Sequence, residues 1–482
     1  MRPYACILVL SVSLVTNVSA AALKAGAAVM DITPTTFPMN MPGGFNANQA
    51  TKAHDPLTAR ALVLDDGKTK VAWVVIDHLS VPRKVTAEAK EIASKATGIP
   101  VENMLVSATH THTGVSAADE FVVEVPGGPK LSDRQVKANA YRQVMLDGIS
   151  QAIIKAHGLL RPALVGAAAQ PLPSEVFNRR WYLKPGKMPL NPFGEMDKVK
   201  MNPGTSPDVI DRPAGPTDPD VSILSVQDTK RKPLALFANY SLHYVGGSPA
   251  GQVSADYYGE FARLMPSRVG GGEDFVAAMS NGTSGDINNI PFGSSRPPRA
   301  PFEQIRIVAG ETADAAWRAY REIGKHQGDV VLGMRQRVLT LKYRKPTKEQ
   351  VLYAKAILAI KDKDAIARLP ALAKNYAGST IAAAERPEET LDIIIQAIRI
   401  GDIGICAIPF ETFAETGLEL KKKSPFGRTI VVGLGNGRHG YLPTPAQHEL
   451  GGYETWLGTN TVQKDASEII VKNLLEMMGE MR

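Results

Sequence analysis

Cysteine is nearly absent: the 482 residues hold two, Cys6 and Cys406. Cys6 falls in an N-terminal stretch with the features of an export signal, so the mature chain is expected to keep Cys406 alone and to form no intramolecular disulfide. No apolar run of ~20 residues follows that stretch, which excludes a helical membrane channel. No block of Lys and Arg is interleaved with aromatic residues, so nucleic acid is not an expected partner. No repeat of fixed period occurs, which excludes solenoids and propellers. Charge of one sign is also missing: 55 Lys and Arg stand against 48 Asp and Glu, a net +7. That modest excess, spread along the chain, is compatible with peripheral contact at an anionic membrane surface or polysaccharide.

What is present is globular. Hydrophobic residues make up 44% and charged residues 21%, values that exclude disordered, collagenous and coiled-coil classes. Arg2, the apolar residues 5–15 and the small-residue triplet Val18-Ser19-Ala20 predict a signal peptide over 1–20, and hence a periplasmic or secreted protein. Residues 21–482 are expected to form one large domain. Apolar, β-rich runs at 70–76, 103–108, 234–242, 275–279, 403–408 and 429–434 alternate with helical patterns at 84–97, 138–157 and 304–323. This predicts an α/β architecture. Two insertions interrupt it: a Pro-, Gly-, Asn- and Met-rich excursion over 184–219 and a helical insertion over 347–386.

The chemistry collects where the strand runs end. The first run leads into Asp77 and His78, the second into His110 and His112, the third into His243. The fourth leads into Ser284 and Asp286, the fifth into Glu411, and the sixth into Arg438, His439 and Tyr441. Ligands in open α/β sheets bind beyond the carboxyl ends of the strands, so these distant groups are expected to converge. At i and i+2 of an extended chain, His110 and His112 would share one face. They suit two metal ligands, or one ligand and one acid/base partner. Two His with a carboxylate and an open fourth position is the pattern of catalytic zinc, with Mn and Fe open on ligand type alone. Asp77 and His78 fit a turn anchor as well as a site. Arg179 and Arg180 fit a solvated basic surface, or an Arg reaching an oxyanion or carboxylate. His54, His157, His326 and His448 are expected to be structural.

Further motifs carry a resemblance. They are G-A-A-V-M-D-I-T-P at 26–34, A-R-A-L-V-L-D-D at 59–66, V-S-A-T-H-T-H-T-G at 106–114, F-N-R at 177–179, D-P-D-V-S-I-L at 218–224 and F-A-N-Y-S-L-H at 237–243. G-D-I-N-N, P-F-E-T, N-G-R-H-G-Y-L-P-T and G-Y-E-T follow in order. In this order and spacing the chain resembles the catalytic domain of the neutral (alkaline, non-lysosomal) ceramidases. The resemblance implies a layered α/β sandwich with mixed sheets flanked by helices, one Zn²⁺ per chain and hydrolysis of the N-acyl amide of ceramide. It implies zinc ligands at His110, His243, Glu411 and Tyr441, with His112 and Arg179 polarising the substrate.

Two departures qualify what the resemblance implies. The family's G-D-V-S-P-N places an essential Ser where this chain has Asn288; Ser284, four residues earlier, is the alternative hydroxyl. The long ceramidases also carry a C-terminal β-domain, expected to be missing here because about forty residues follow Tyr441. The expected function is therefore an exported zinc hydrolase of a ceramide-like lipid. The alternatives are the same metal site acting on a glycan, ester or lactone, and a non-catalytic lipid- or glycan-binding protein.

Overall fold

The computed structural model describes residues 23–44, 48–118 and 130–482; the expected signal at 1–20 and Cys6 lie outside them. Two mixed sheets pack face to face and helices cover their outer faces, a four-layer α/β/β/α sandwich.

The large sheet has eight strands: β1 (Lys24–Asp31), β2 (Thr58–Asp65), β3 (Lys70–Ile76), β4 (Met104–Ala108), β5 (Arg161–Pro171), β6 (Asp220–Asp228), β7 (Pro233–Tyr240) and β8 (Val276–Asn281), in the order β8-β7-β6-β5-β1-β2-β3-β4. The second sheet runs β9 (Leu332–Lys342), β10 (Thr390–Ile400), β11 (Ile403–Ile408), β12 (Arg428–Gly433). Side chains alternate across each strand. On β2, Ala59, Ala61 and Val63 face the helices α1 (Arg83–Thr97) and α2 (Asp133–Gly158), while Leu62 and Leu64 meet Ile398 and Ile405 of the second sheet. Helices α3 (Asp256–Val269) and α4 (Glu303–Glu322) cover the β6–β8 end of the large sheet. The insertion over 347–386 holds α5 (Lys348–Ala359), α6 (Lys363–Ala367) and α7 (Ala373–Glu385). Helix α8 (Ala414–Lys423) follows β11, and α9 (Ala466–Gly479) packs on the outer face of the second sheet.

Within the two large sheets three strand pairs are parallel: β3 with β4, β7 with β8, and β11 with β12. They are the six runs that stand out in the sequence. Parallel strands are buried on both faces and read as continuous apolar runs. The antiparallel strands are mixed in pattern; β9, Leu-Gly-Met-Arg-Gln-Arg-Val-Leu-Thr-Leu-Lys, has exposed positions along its length. Helix α2 starts five residues before the expected 138 because Ser132 and Gln135 form a reciprocal capping box that its apolar periodicity does not show. The excursion over 184–219 is not wholly irregular, since Val199–Met201 and Ile210–Pro213 flank Arg180–Leu183 in a small sheet.

One core residue does not fit an apolar interior. Lys90 of α1 is 4% exposed, and its Nζ donates to Asn436 Oδ1. Burial lowers its pKa from 10.5 to about 7. Between pH 7 and 10.5 the unfolded chain therefore binds a proton that the folded chain does not, so this group makes stability rise with pH across that window. We expect Lys90→Met to stabilise the protein by about 1–4 kcal/mol at neutral pH, with the gain shrinking toward pH 10. Urea midpoints of the two proteins between pH 6 and 10 check this; a gain that grows with pH contradicts it.

Candidate metal centre and cleft

The carboxyl ends of the three parallel pairs meet at one place, and hydrogen bonds between exits hold them there. Asn436 N donates to Val106 O, Gly285 N to Thr412 O, and Gly282 N to Tyr240 O. The approach is close: a Cβ on Gly285 would lie 2.3 Å from the Glu411 carbonyl oxygen. Glycine is therefore required where the β8 exit passes the β11 exit.

Three imidazoles face one another in this crevice. His110 Nε2 is 3.0 Å from His243 Nε2 and 3.2 Å from His112 Nε2. Each Nδ1 is within hydrogen-bond distance of a backbone carbonyl: Leu79 for His110, Gly43 for His112 and Ser284 for His243. A carbonyl accepts only, so each Nδ1 carries a proton, and it is Nε2 that each neutral ring would offer as a lone pair. Burial, reinforced by the mutual proximity of the rings, lowers the pKa of His112 and His243 well below 6.5. Three buried Nε2 atoms that face one another are a donor set for a cation.

The carboxylate completes it. Glu411 Oε2 is 3.3 Å from His110 Nε2 and 3.8 Å from His243 Nε2, while Arg438 Nε and Nη2 both donate to Oε1 at 3.0 Å. Burial by itself would raise the Glu411 pKa, but His110, Arg438 and His243 outweigh it and hold the acid well below its usual range. Tyr441 lies beside Glu411, because Glu411-Thr412 pairs in parallel with Tyr441-Leu442. Its phenol is pushed well above 10 by burial and by Glu411, against the pull of Arg179. The imidazoles and the carboxylate thus fit a divalent metal by donor type and burial.

The imidazoles converge by a different route from the one the sequence suggests. The strand ends at Ala108, and His110 adopts φ 73°, a left-handed conformation rare for a non-glycine residue. Extended i, i+2 geometry is therefore not what brings His110 and His112 together. The turn sets their rings nearly perpendicular, at 86°. Strain of this kind persists where the surroundings over-determine it; here the His110 amide donates to His78 O and its ring to Leu79 O.

Around this centre is a cleft of about 310 Å³ whose walls include Arg179, Asn288, Arg438, Tyr441 and Tyr453. Arg179 is buried and its Nε donates to Glu454 Oε1, leaving Nη2 with no hydrogen-bond partner in the protein. Glu454, fully buried, also accepts from Arg180 Nη1. The solvated-surface reading of the Arg179-Arg180 pair is thus excluded. Asn288 lines the cleft, but its amide is engaged: Nδ2 donates to Asn202 Oδ1 and Oδ1 accepts from Ile290 N. Ser284 is not on the cleft wall. Its hydroxyl donates to Asn281 Oδ1 and sits behind His243, 3.3 Å from Nδ1, so it supports that ring and does not reach substrate. His439 also stands apart, in a neighbouring recess with Tyr343 and Tyr376, its pKa lowered to about 4 chiefly by burial. Asp77 anchors Arg60 and Thr58, and His78 bridges the carbonyls of Ser80 and Val115, both structural roles.

Residue-by-residue reading of the sequence did not single out Gly43, Tyr244, Asn202, Tyr453 or Glu454. Tyr244 stacks on His112 at 3.7 Å and 15°. Tyr244, Tyr453 and Glu454 sit inside motifs that the sequence did show, next to His243 and in G-Y-E-T. Gly43 and Asn202 carry no local signal.

The neutral/alkaline non-lysosomal ceramidase N-terminal family model matches residues 23–294. Among curated proteins, neutral ceramidase B of Dictyostelium discoideum is 24% identical over 303 residues, 61% of this chain and 39% of its own length. A neutral ceramidase of Oryza sativa subsp. japonica is 27% identical over 292 residues, 58% of this chain and 33% of its own. The matched region thus spans well under half of these relatives. Among solved structures, neutral ceramidase from Pseudomonas aeruginosa superposes with TM-score 0.68 at 16% identity, over 96% of this chain and 74% of that one. A ceramidase complexed with C2 gives TM-score 0.70 at 17% identity over 96% and 75%.

A Cβ on Gly43 would lie 2.0 Å from His112 O. Gly43 O also holds the His112 ring, so we expect Gly43→Ala to displace that ring while leaving metal affinity at His110, His243 and Glu411 essentially unchanged. His243→Ala should abolish tight metal binding. Competition titration with a chromogenic chelator checks both; wild-type affinity in His243→Ala, or affinity lost in Gly43→Ala, contradicts the ligand assignment.

Proposed function

The chain belongs to the neutral/alkaline non-lysosomal ceramidase family, and from that premise we propose that it is an exported, zinc-dependent hydrolase that cleaves the N-acyl amide of a ceramide-like lipid. The observation that carries this reading is the pairing of an imidazole–carboxylate donor set with the unpartnered Arg179 Nη2 on the same cleft wall. Export rests on the signal-like residues 1–20.

His110, His243, Glu411 and Tyr441 are the residues that would hold the ion. The chemistry a zinc ion supplies is Lewis-acid polarisation of a carbonyl and activation of water near neutral pH. His112 is the proton carrier: its Nε2 is unprotonated and faces the donor cluster. It accepts a proton as water oxygen bonds to the acyl carbon. It then returns that proton to the amine nitrogen as the C–N bond breaks, leaving a fatty acid and an amine. Arg179 Nη2 donates to the oxygen that gains negative charge, a donor fixed in advance by Glu454. Stacking on Tyr244 holds the His112 ring in place through the transfer.

A second reading has one observation in its favour. Asn288 stands where the family has Ser, and its amide is engaged with Asn202 and Ile290. The same centre acting on an ester, a lactone or a glycan substituent would not need that hydroxyl.

Arg179→Ala is expected to lower kcat/KM for N-acyl sphingosine by roughly 10²–10³. Asn288→Ser is expected to raise ceramide hydrolysis above wild type. Steady-state kinetics on N-acyl sphingosines, aryl esters and acetylated oligosaccharides separates the readings. Turnover of esters or glycans with no amide cleavage by wild type or Asn288→Ser contradicts the amidase assignment.

A further inference from the structure

The cleft walls are polar and charged, yet the proposed substrate carries long aliphatic chains, which need an apolar surface within reach. The two insertions provide one. A groove of about 670 Å³ lies between the excursion and the helical insertion. Pro189, Leu190 and Pro192 line it from the first, Leu369, Pro370 and Leu372 from the second. It is continuous with the catalytic cleft, since Met201, Asn202 and Tyr453 line both.

Two features make this a built surface. Leu190 and Leu372 are 53% and 37% exposed, and Leu372 adopts φ 63°, an unusual conformation for a leucine. The boundary with the cleft is fixed from the catalytic side: the Asn202 amide donates to Arg179 O and its side chain accepts from Asn288. The residue that departs from the family pattern therefore holds the threshold between cleft and groove.

We propose that this groove is the subsite for one alkyl chain of the substrate, which leaves the cleft across Met201 and lies against Leu190 and Leu369. The inference deepens the amidase reading and rests on it for the identity of the substrate, so its test includes a measurement that needs no catalysis. Binding of hexanol, octanol and decanol to the full-length protein is measured by calorimetry below their solubility limits. Affinity should rise on the order of tenfold from each alcohol to the next, since each buried methylene contributes about fourfold. Leu190→Gln, at a half-exposed position that tolerates a polar side chain, should weaken decanol binding about tenfold. Leu352→Gln, 67% exposed on α5 of the same insertion but outside the groove, should not change it. In the kinetic arm, Leu190→Gln should lower the ratio of kcat/KM for long- over short-chain N-acyl sphingosine by a similar factor.

Flat affinity across the alcohols overturns the proposal. So does equal weakening by Leu352→Gln, which would mark a general apolar face, or displacement of decanol by a maltooligosaccharide stacked on Tyr453 and Trp456. Chain-length-dependent binding without any amide cleavage would keep the subsite and remove the amidase reading. Amide cleavage without alcohol binding would do the reverse.

Discussion

Three buried imidazoles cannot face one another through lone pairs unless something forces them to. Here three backbone carbonyls do so, by taking the Nδ1 protons of His110, His112 and His243 and turning every Nε2 inward. The cost of burying His110 and His243 together with Glu411 is recovered when a cation shares them. Most of the unusual local structure serves this arrangement. His110 takes a left-handed conformation, Gly43 and Gly285 admit backbone at distances that no side chain allows, and Arg438 occupies one oxygen of Glu411 so that the other faces the histidines.

The fold makes this placement possible by dividing labour between strand types. The antiparallel strands build the sheets and fill the space between them. The three parallel pairs each deliver two exits to the same end, and the exits carry His110, His112, His243, Glu411, Arg438 and Tyr441. The two insertions add a second layer around the cleft. Behind it, the buried Glu454 holds Arg179 and Arg180 together, so the arginine that points into the cleft is positioned by a carboxylate from the last quarter of the chain.

How much of this is legible in the sequence follows from the same division. The parallel strands are readable because burial on both faces makes them uninterrupted apolar runs, and their exits are readable because chemistry-bearing residues end each run. Convergence of His110, His243 and Glu411 followed from those exits. The antiparallel strands are harder to read because exposed and buried positions mix, as in β9. The role of Ser284 was not legible, since nothing local shows that its hydroxyl sits behind His243. The route by which His110 and His112 meet was hidden too, because a left-handed His is imposed by contacts with His78 and Leu79 from another strand exit. Gly43 and Asn202 act through backbone approach and a single amide contact, neither of which leaves a pattern.

The most direct measurement is anomalous diffraction at the zinc edge from crystals of the protein grown with one equivalent of zinc. The account predicts one peak per chain, at bonding distance of ~2.0–2.2 Å from His110 Nε2, His243 Nε2 and Glu411 Oε2. No peak at this point, or a peak held by other residues, would contradict it.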